Sequence, residues 1–390
     1  MKITKIECIV LRYVMDEVRY NANCRIAGRS SLIVRVYTDS GIVGIGESSL
    51  GSGPPESTVN VIEKELSPLI VGEDPLMSEY IWQKCYHNTM FHGRGGIIPS
   101  AMSGIDTALW DIKGKFSNLP LYILLGGFSN RVETYASGGF YKKGEGLDFS
   151  GKELKEACDK TGYRAAKMKV GRTHTQGNPL YLKAEPEFFI SFEDDLQRVR
   201  LAREILGPEI KLMVDANTGW DVHHAMRAGK YYDELNVYMF EEPIRTDDYY
   251  GSSLLAKSLI VKIAGYETEQ LSYRYCRMIA EHAVDIVQPD IAWVGGITEA
   301  KKIADQAASY NKECATHVFG SAVILAAGLH LSCGISNSGL LEFDTHFNPL
   351  RSDLVKDPLE VDPDGFMTVS EKPGLGIELD EKTIAKYRIN

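Results

Sequence analysis

The chain has 390 residues, of which 44% are hydrophobic and 25% charged, with a net charge of −10. This composition is ordinary for a globular protein, and the acidic balance argues against a nucleic-acid partner, since phosphate binding needs clustered Lys and Arg. The seven cysteines (Cys8, Cys24, Cys85, Cys158, Cys276, Cys314 and Cys333) are scattered without a CxxC, which argues against a disulfide framework or a zinc site and makes a reducing cytoplasm the expected location.

The first segment reads as an antiparallel meander. Residues 2–11 alternate in polarity, residues 31–38 alternate again, and Asp39-Ser40-Gly41 turns the chain into residues 42–47. A strand, not a signal peptide, is expected at the N-terminus. Helical patterns follow at 57–71, 75–90 and 99–116. Strands followed by helices predict an α+β domain.

From residue 132 short apolar runs alternate with helical patterns. The runs are 132–136, 165–170, 210–214, 237–240, 260–264, 284–287, 313–316 and 339–343. Helices are predicted near 151–161, 193–206, 221–235, 248–257, 269–281, 297–309 and 320–332. Eight such units fit a closed parallel barrel better than an open doubly wound sheet, and no GxGxxG follows the first run. Residues 171–189 are polar and hold Pro179 and Pro186; a loop of this length is expected to act as a lid or an oligomer contact. The longest apolar run, 322–335, is too short to cross a bilayer and contains His330, so no membrane association is expected. After residue 346 the chain is rich in Pro, Asp and Gly and the rhythm stops.

Barrel chemistry sits at the C-terminal ends of the strands. Here Asp215, Glu241 and Glu267 end three consecutive strands, 26 residues apart each time. Three carboxylates on adjacent strands would repel one another and raise one another's pKa, which a hard divalent cation resolves; all-oxygen ligation favours Mg²⁺. Glu242 and Glu269 lie close by, and the even spacing selects Glu241 and Glu267. Lys167 and Lys169 share a face of the second strand. Beside another ammonium and a metal, Lys169 is expected to be partly neutral and to serve as a base. Asp290 and His317 end the sixth and seventh strands, where the carboxylate can orient the imidazole toward a substrate. Glu342, on the last strand, would donate a hydrogen bond to a substrate oxygen if kept protonated; the alternative is a barrel-closing ion pair.

Together these residues resemble the enolase superfamily, in its mandelate racemase subgroup. The resemblance rests on Lys167-x-Lys169, the Asp215/Glu241/Glu267 set and the Asp290–His317 dyad, in order and at matching strands. The run Ser103-Gly104-Ile105-Asp106-Thr107-Ala108-Leu109-Trp110-Asp111 is similar to that family's cap signature. The resemblance implies an α/β fold: a (β/α)7β TIM-like barrel over residues 129–346, an α+β capping domain over 1–128, and a C-terminal segment, 347–390, returning to the cap. It implies Mg²⁺ holding a small-molecule carboxylate substrate, Lys169 or His317 taking the α-proton, Lys167 neutralising the carboxylate and Glu342 supporting an enediolate. It also implies a homo-oligomer, a dimer or an octamer. Two features depart from the family pattern: the loop after the second strand is long, and Tyr266 stands where glycine is common.

Specificity is expected from cap loops that close the mouth: Asn21 and Arg25 in the run 20–25, Glu47, and His92 with Arg94. These are polar, so a hydroxylated acid fits them better than an aromatic one, and Arg25 or Arg94 suits a distal carboxylate. The runs Glu342-Phe343-Asp344, 348–351 and 373–378 resemble acid-sugar dehydratases and sugar-lactone cycloisomerases. Dehydration of an acid sugar to a 2-keto-3-deoxy acid is the expected reaction. A racemase, an epimerase or a cycloisomerase would use the same site, and a non-catalytic binding barrel is the competing class.

Overall fold

The computed structural model describes residues 1–49, 53–173 and 188–389. Three antiparallel strands, β1 (Ile3–Tyr20), β2 (Arg25–Thr38) and β3 (Val43–Ser48), form a sheet in that order. Alternation puts Val34, Val36, Cys8 and Val10 on one face, against the long helix Ile97–Ser117. Helix and sheet approach closely because β3 has glycines there. A Cβ at Gly46 would lie 2.0 Å from the carbonyl oxygen of Gly104, and one at Gly44 would lie 2.1 Å from that of Ala108.

The barrel follows. Strands β4 (Arg131–Ser137), β5 (Ala165–Lys169), β6 (Lys211–Asp215), β7 (Met239–Glu241), β8 (Lys262–Gly265), β9 (Ile286–Val287) and β10 (Glu313–Cys314) pair in sequence, all parallel. The eighth strand, β11 (Leu341–Asp344), returns to pair with β4, and a bridge from Cys314 to Ser338 joins it to β10, closing the ring. Each crossover carries at least one helix, which is why both faces of the strands read as apolar. The lower barrel is filled by Tyr135, Ala165, Met213, Met239, Ala264, Ile286 and Ala315, so the charged strand ends sit above a packed floor.

The tail ties barrel to cap. Strand β12 (Phe366–Thr368) runs antiparallel to β4, and Ile389 N–H donates to the carbonyl of Val10 at 3.0 Å. The run 103–111 docks the cap. Asp106 accepts from the Thr298 N–H at 2.8 Å and from its hydroxyl at 2.6 Å, Trp110 donates to Thr298 Oγ1 at 2.8 Å, and Asp111 accepts from Ile45 N–H and Leu375 N–H.

Two expectations need correction, and a third falls outside the described residues. The first strand does not stop at residue 11; it pairs with β2 as far as Tyr20↔Arg25, so the two make a long hairpin that projects over the barrel mouth. Polar residues at 12–20 hid this extension, because its outer face is solvated. The runs at 284–287 and 313–316 give only two-residue strands, and beyond them Asp290 and His317 meet as an isolated bridge. Of the long loop 171–189, expected to be a lid or an oligomer contact, residues 174–187 lie outside the described residues; Thr173 in it pairs with Ile190 just beyond it.

Candidate active site

Register places the charged residues level. Lys169 faces Asp215 across β5 and β6, and Asp215 faces Glu241 across β6 and β7. One turn later Tyr266 adopts φ 76° and turns Glu267 into the mouth. A left-handed tyrosine is strained, which explains why glycine suits this position. The ring does not obstruct the mouth as its bulk suggested; it is buried, packed against Tyr249 with centroids 5.7 Å apart.

The side chains form two groups. Lys167, fully buried, donates to both oxygens of Glu241 at 2.7 and 2.8 Å and lies 3.0 Å from Glu342 Oε1. Lys169 donates to Asp215. On the opposite wall, His317 Nδ1 lies 2.8 Å from Asp290 Oδ2 and Nε2 lies 3.2 Å from Glu267 Oε2. Asp290 is fixed in turn by the Ala292 N–H at 2.8 Å. Both Lys169 and His317 therefore reach the mouth from strands separated by the acidic rung.

Paired charges set the electrostatics of Lys169 and Glu342. Burial alone would lower the Lys169 pKa, but Asp215, with help from Glu241 and Glu267, raises it above the usual lysine value while the two side chains are paired. Burial pushes Glu342 up, and Lys167, His317 and Lys169 more than reverse this, leaving it well below the usual carboxylate range. Glu342 is thus ionised and accepts hydrogen bonds, from Ser137 Oγ at 2.7 Å and Val318 N–H at 3.0 Å. His317 is shifted far upward: burial opposes its charge, and Glu267, Glu342 and Asp290 outweigh burial. Glu241 is raised by burial and by Asp215, Glu267 and Glu342, against the pull of Lys167.

The donor set suits a hard divalent cation. Three carboxylates end adjacent strands, their mutual repulsion raises Glu241 and contributes to raising Glu267, and Glu267 Oε2 is shielded from solvent without a hydrogen-bond partner among the described residues. The three were expected to gather around one point. They share the mouth, but among the described residues no three acidic, His or Cys side chains form a cage, since Asp215 and Glu241 are turned onto the two lysines. The neighbouring acids take other parts. Glu269 pairs with Arg274 and Tyr249, and Glu242 is buried behind the rung.

A cavity of about 740 Å³ opens above Glu267, Asp290 and His317, roofed by the hairpin. Arg25 lines it, exposed and without an ion pair among the described residues. The other cap candidates do not. Asn21 uses its side-chain oxygen to accept from the N–H groups of Asn23 and Cys24, shaping the hairpin tip. Glu47 is buried and accepts from Ser31, Ser321 and Ile324, a clamp between cap and barrel. His92 lies on the surface 2.7 Å from Glu65, and Arg94 is exposed outside the cavity lining. Polarity in a cap loop did not distinguish a substrate-facing group from one that secures the loop.

Several neighbours went unread in the sequence. Gln288 donates to Glu241 Oε2 at 2.8 Å, and Arg198 donates to the Lys169 carbonyl at 3.0 Å. Gln288 stands two residues before Asp290 on the same strand end, a spacing that marked it. Arg29, Trp293 and Phe319 line the cavity, and nothing in their local pattern pointed there.

Comparison with known proteins follows this geometry. Residues 150–383 match the enolase C-terminal domain-like family, and residues 17–126 match the mandelate racemase/muconate lactonizing enzyme N-terminal domain. The chain belongs to the enolase superfamily. Within this superfamily it is 35% identical to an arabinonate dehydratase of Saccharolobus solfataricus, over 90% of this chain and 89% of that one. It is 31% identical to a D-galactarolactone cycloisomerase of Agrobacterium fabrum, over 100% of this chain and 99% of the relative. The solved 3,6-anhydro-D-galactonate cycloisomerase from Zobellia galactanivorans superposes with a TM-score of 0.86 at 31% identity, covering both chains fully. A racemase from Streptomyces coelicolor, solved with bound magnesium, superposes with a TM-score of 0.85 at 26% identity, over 99% of this chain and 100% of that one. Among the described residues of this superfamily member, no helix is long and apolar enough to cross a membrane.

Proposed function

We propose that the protein dehydrates an acid sugar, an aldonate or aldarate, to a 2-keto-3-deoxy acid by way of an enediolate. The observation that carries this reading is the pairing of an amine, Lys169, and a carboxylate-held imidazole, His317, on opposite walls of one carboxylate-lined mouth. The 35% identity to an arabinonate dehydratase supports it.

Asp215, Glu241 and Glu267 would hold Mg²⁺, the usual choice for an all-oxygen site that must leave room for substrate. Bound there, the ion supplies a fixed positive charge for the substrate carboxylate, which acidifies the neighbouring C–H. Lys169 would take the α-proton as the neutral amine, once Asp215 turns to the ion and no longer holds the lysine proton. His317, held protonated by its acidic neighbours, gives its proton to the departing β-hydroxyl. Asp290 fixes the imidazole through Nδ1 and leaves Nε2 toward the mouth. Lys167 stays buried between Glu241 and Glu342 and offsets their charge. Glu342 positions Lys167 and the backbone of Val318. Arg25 takes an oxygen or distal carboxylate at the far end of the substrate. Assembly as a dimer or an octamer accompanies this reading.

Similarity to the D-galactarolactone cycloisomerase over the whole chain favours one second reading, in which the β-oxygen belongs to a lactone ring. Incubating the protein with Mg²⁺ and a library of aldonates, aldarates and their lactones separates the two. A 2-keto-3-deoxy product from an open acid supports dehydration. Product from lactones alone supports cycloisomerisation. Failure to exchange any substrate α-proton with deuterated solvent removes both.

A further inference from the structure

The loop that carries His317 is gripped at three consecutive residues. Asp290 accepts from His317 Nδ1 at 2.8 Å, and Glu342 accepts from Val318 N–H at 3.0 Å. The third grip is on Phe319, and it comes from the cap. The guanidinium of Arg29, on β2, stands 4.5 Å above the Phe319 ring, and the ring tilts against the His317 imidazole at 6.3 Å between centroids. Phe140 backs Phe319 at 6.2 Å, so the ring cannot retreat toward the barrel.

Arg29 is itself fixed. Its Nη2 donates to Asp344 Oδ2 at 2.9 Å, with both side chains only 5% exposed. Asp344 lies two residues beyond Glu342 on β11, so the two carboxylates share a face. One secures the backbone beside His317, and the other secures the cation that presses on the next ring. A stack of cation, ring and imidazole anchored on one strand has little freedom to tilt.

We propose that Arg29 is a positioning residue for His317. By pinning Phe319 it sets the angle of the imidazole over the mouth, so the capping hairpin controls proton delivery as well as the fit of the substrate. This rests on the reading of Lys169 as base and His317 as acid.

The test compares Arg29→Met, Arg29→Lys and Phe319→Leu in deuterated solvent, with Mg²⁺ and an acid sugar that the wild type dehydrates. Two rates are read: exchange of the α-proton, which needs Lys169, and product formation, which also needs His317. Arg29→Met and Phe319→Leu should each slow product formation about tenfold while exchange stays within about twofold. Arg29→Lys should recover most of the loss, and the double variant should be no worse than either single one. Equal loss of exchange and product, or no loss, overturns the proposal. Histidine ring NMR signals of the substrate-free protein give an independent reading. The His317 signals, identified by their disappearance in His317→Asn, should move in Arg29→Met and Phe319→Leu and stay in place in Arg29→Lys; signals unmoved by all three overturn it. If the wild type exchanges no acid-sugar proton, the dehydratase reading fails, and the ring signals still decide whether Arg29 positions His317.

Discussion

The barrel rung and the hairpin above it are built in opposite ways. On the rung, Lys167, Asp215 and Glu241 are fully buried, each pairs with an opposite charge, and strand register fixes their level. On the hairpin, Arg25 is exposed and without an ion pair among the described residues, and the roof is held by scattered ties: the Tyr20–Tyr141 backbone pair, the Asn23 amide on Thr218 at 3.1 Å, the Arg172 guanidinium on the Asn21 carbonyl at 2.9 Å, and Arg29 on Asp344. A buried, paired charge tolerates almost no change, because removing one partner strands the other in a low dielectric. An exposed one can vary freely. On the proposed reading, the chemistry would be locked into the rung, and discrimination among substrates would be left to the roof.

The largest effect should come from the rung. Lys169→Met is expected to lower the rate of α-proton exchange and product formation by about 10²- to 10⁴-fold, read by deuterium incorporation and keto-acid assay. Retention of full exchange would remove Lys169 as the base. Treating the protein with a chelator should also silence turnover, with recovery on adding Mg²⁺. The roof should respond differently. Arg25→Met should raise KM about tenfold for a diacid while kcat stays within about twofold, since a contact equal in ground and transition states changes binding alone. A fall in kcat with unchanged KM would move Arg25 into the chemistry and erase the contrast.

Two stability tests sharpen the comparison. Gly46→Ala forces a Cβ to within 2.0 Å of the Gly104 carbonyl oxygen. It should destabilise the cap by about 1–3 kcal/mol, measured by denaturant midpoint, with the rung intact. The smallest effect concerns the seam beside Arg29. His346 lies 3.2 Å from Asp344 and 3.6 Å from Glu153. Burial opposes its charge, and these carboxylates overcome burial, raising it from 6.5 to about 9. The folded protein then binds more protons than the unfolded chain between those values, so this stabilisation is complete below pH 6.5 and is lost as pH rises through 9. Thermal melts of the wild type should fall across that window more steeply than those of His346→Gln. Equal slopes would place the proton elsewhere.

Sequence by itself determined the parts that follow from local periodicity and spacing. Eight apolar runs alternating with helices fitted a closed parallel barrel better than an open sheet, and ionisable residues directly after those runs had to reach its mouth or be paired. Lys167, Lys169, Asp215, Glu241, Glu267, Asp290, His317 and Glu342 were picked out for that reason; strand register and a bridge level seven of them, and Glu267 reaches the mouth by its pairing with His317. Tertiary structure alone decided the rest. Whether a polar cap residue faces the cavity or holds the cap depends on what comes to meet it from distant parts of the chain: among the described residues Ser321 meets Glu47 and Glu65 meets His92, while of the five cap candidates Arg25 alone lines the cavity. Charge states were likewise hidden, because burial and the sum of several distant charges set them. That sum raises Lys169 while it is paired with Asp215 and holds Glu342 well below the usual carboxylate range. Residues such as Arg29 and Phe319 carried no local signal at all, since their place beside His317 arises only when hairpin and barrel are packed together.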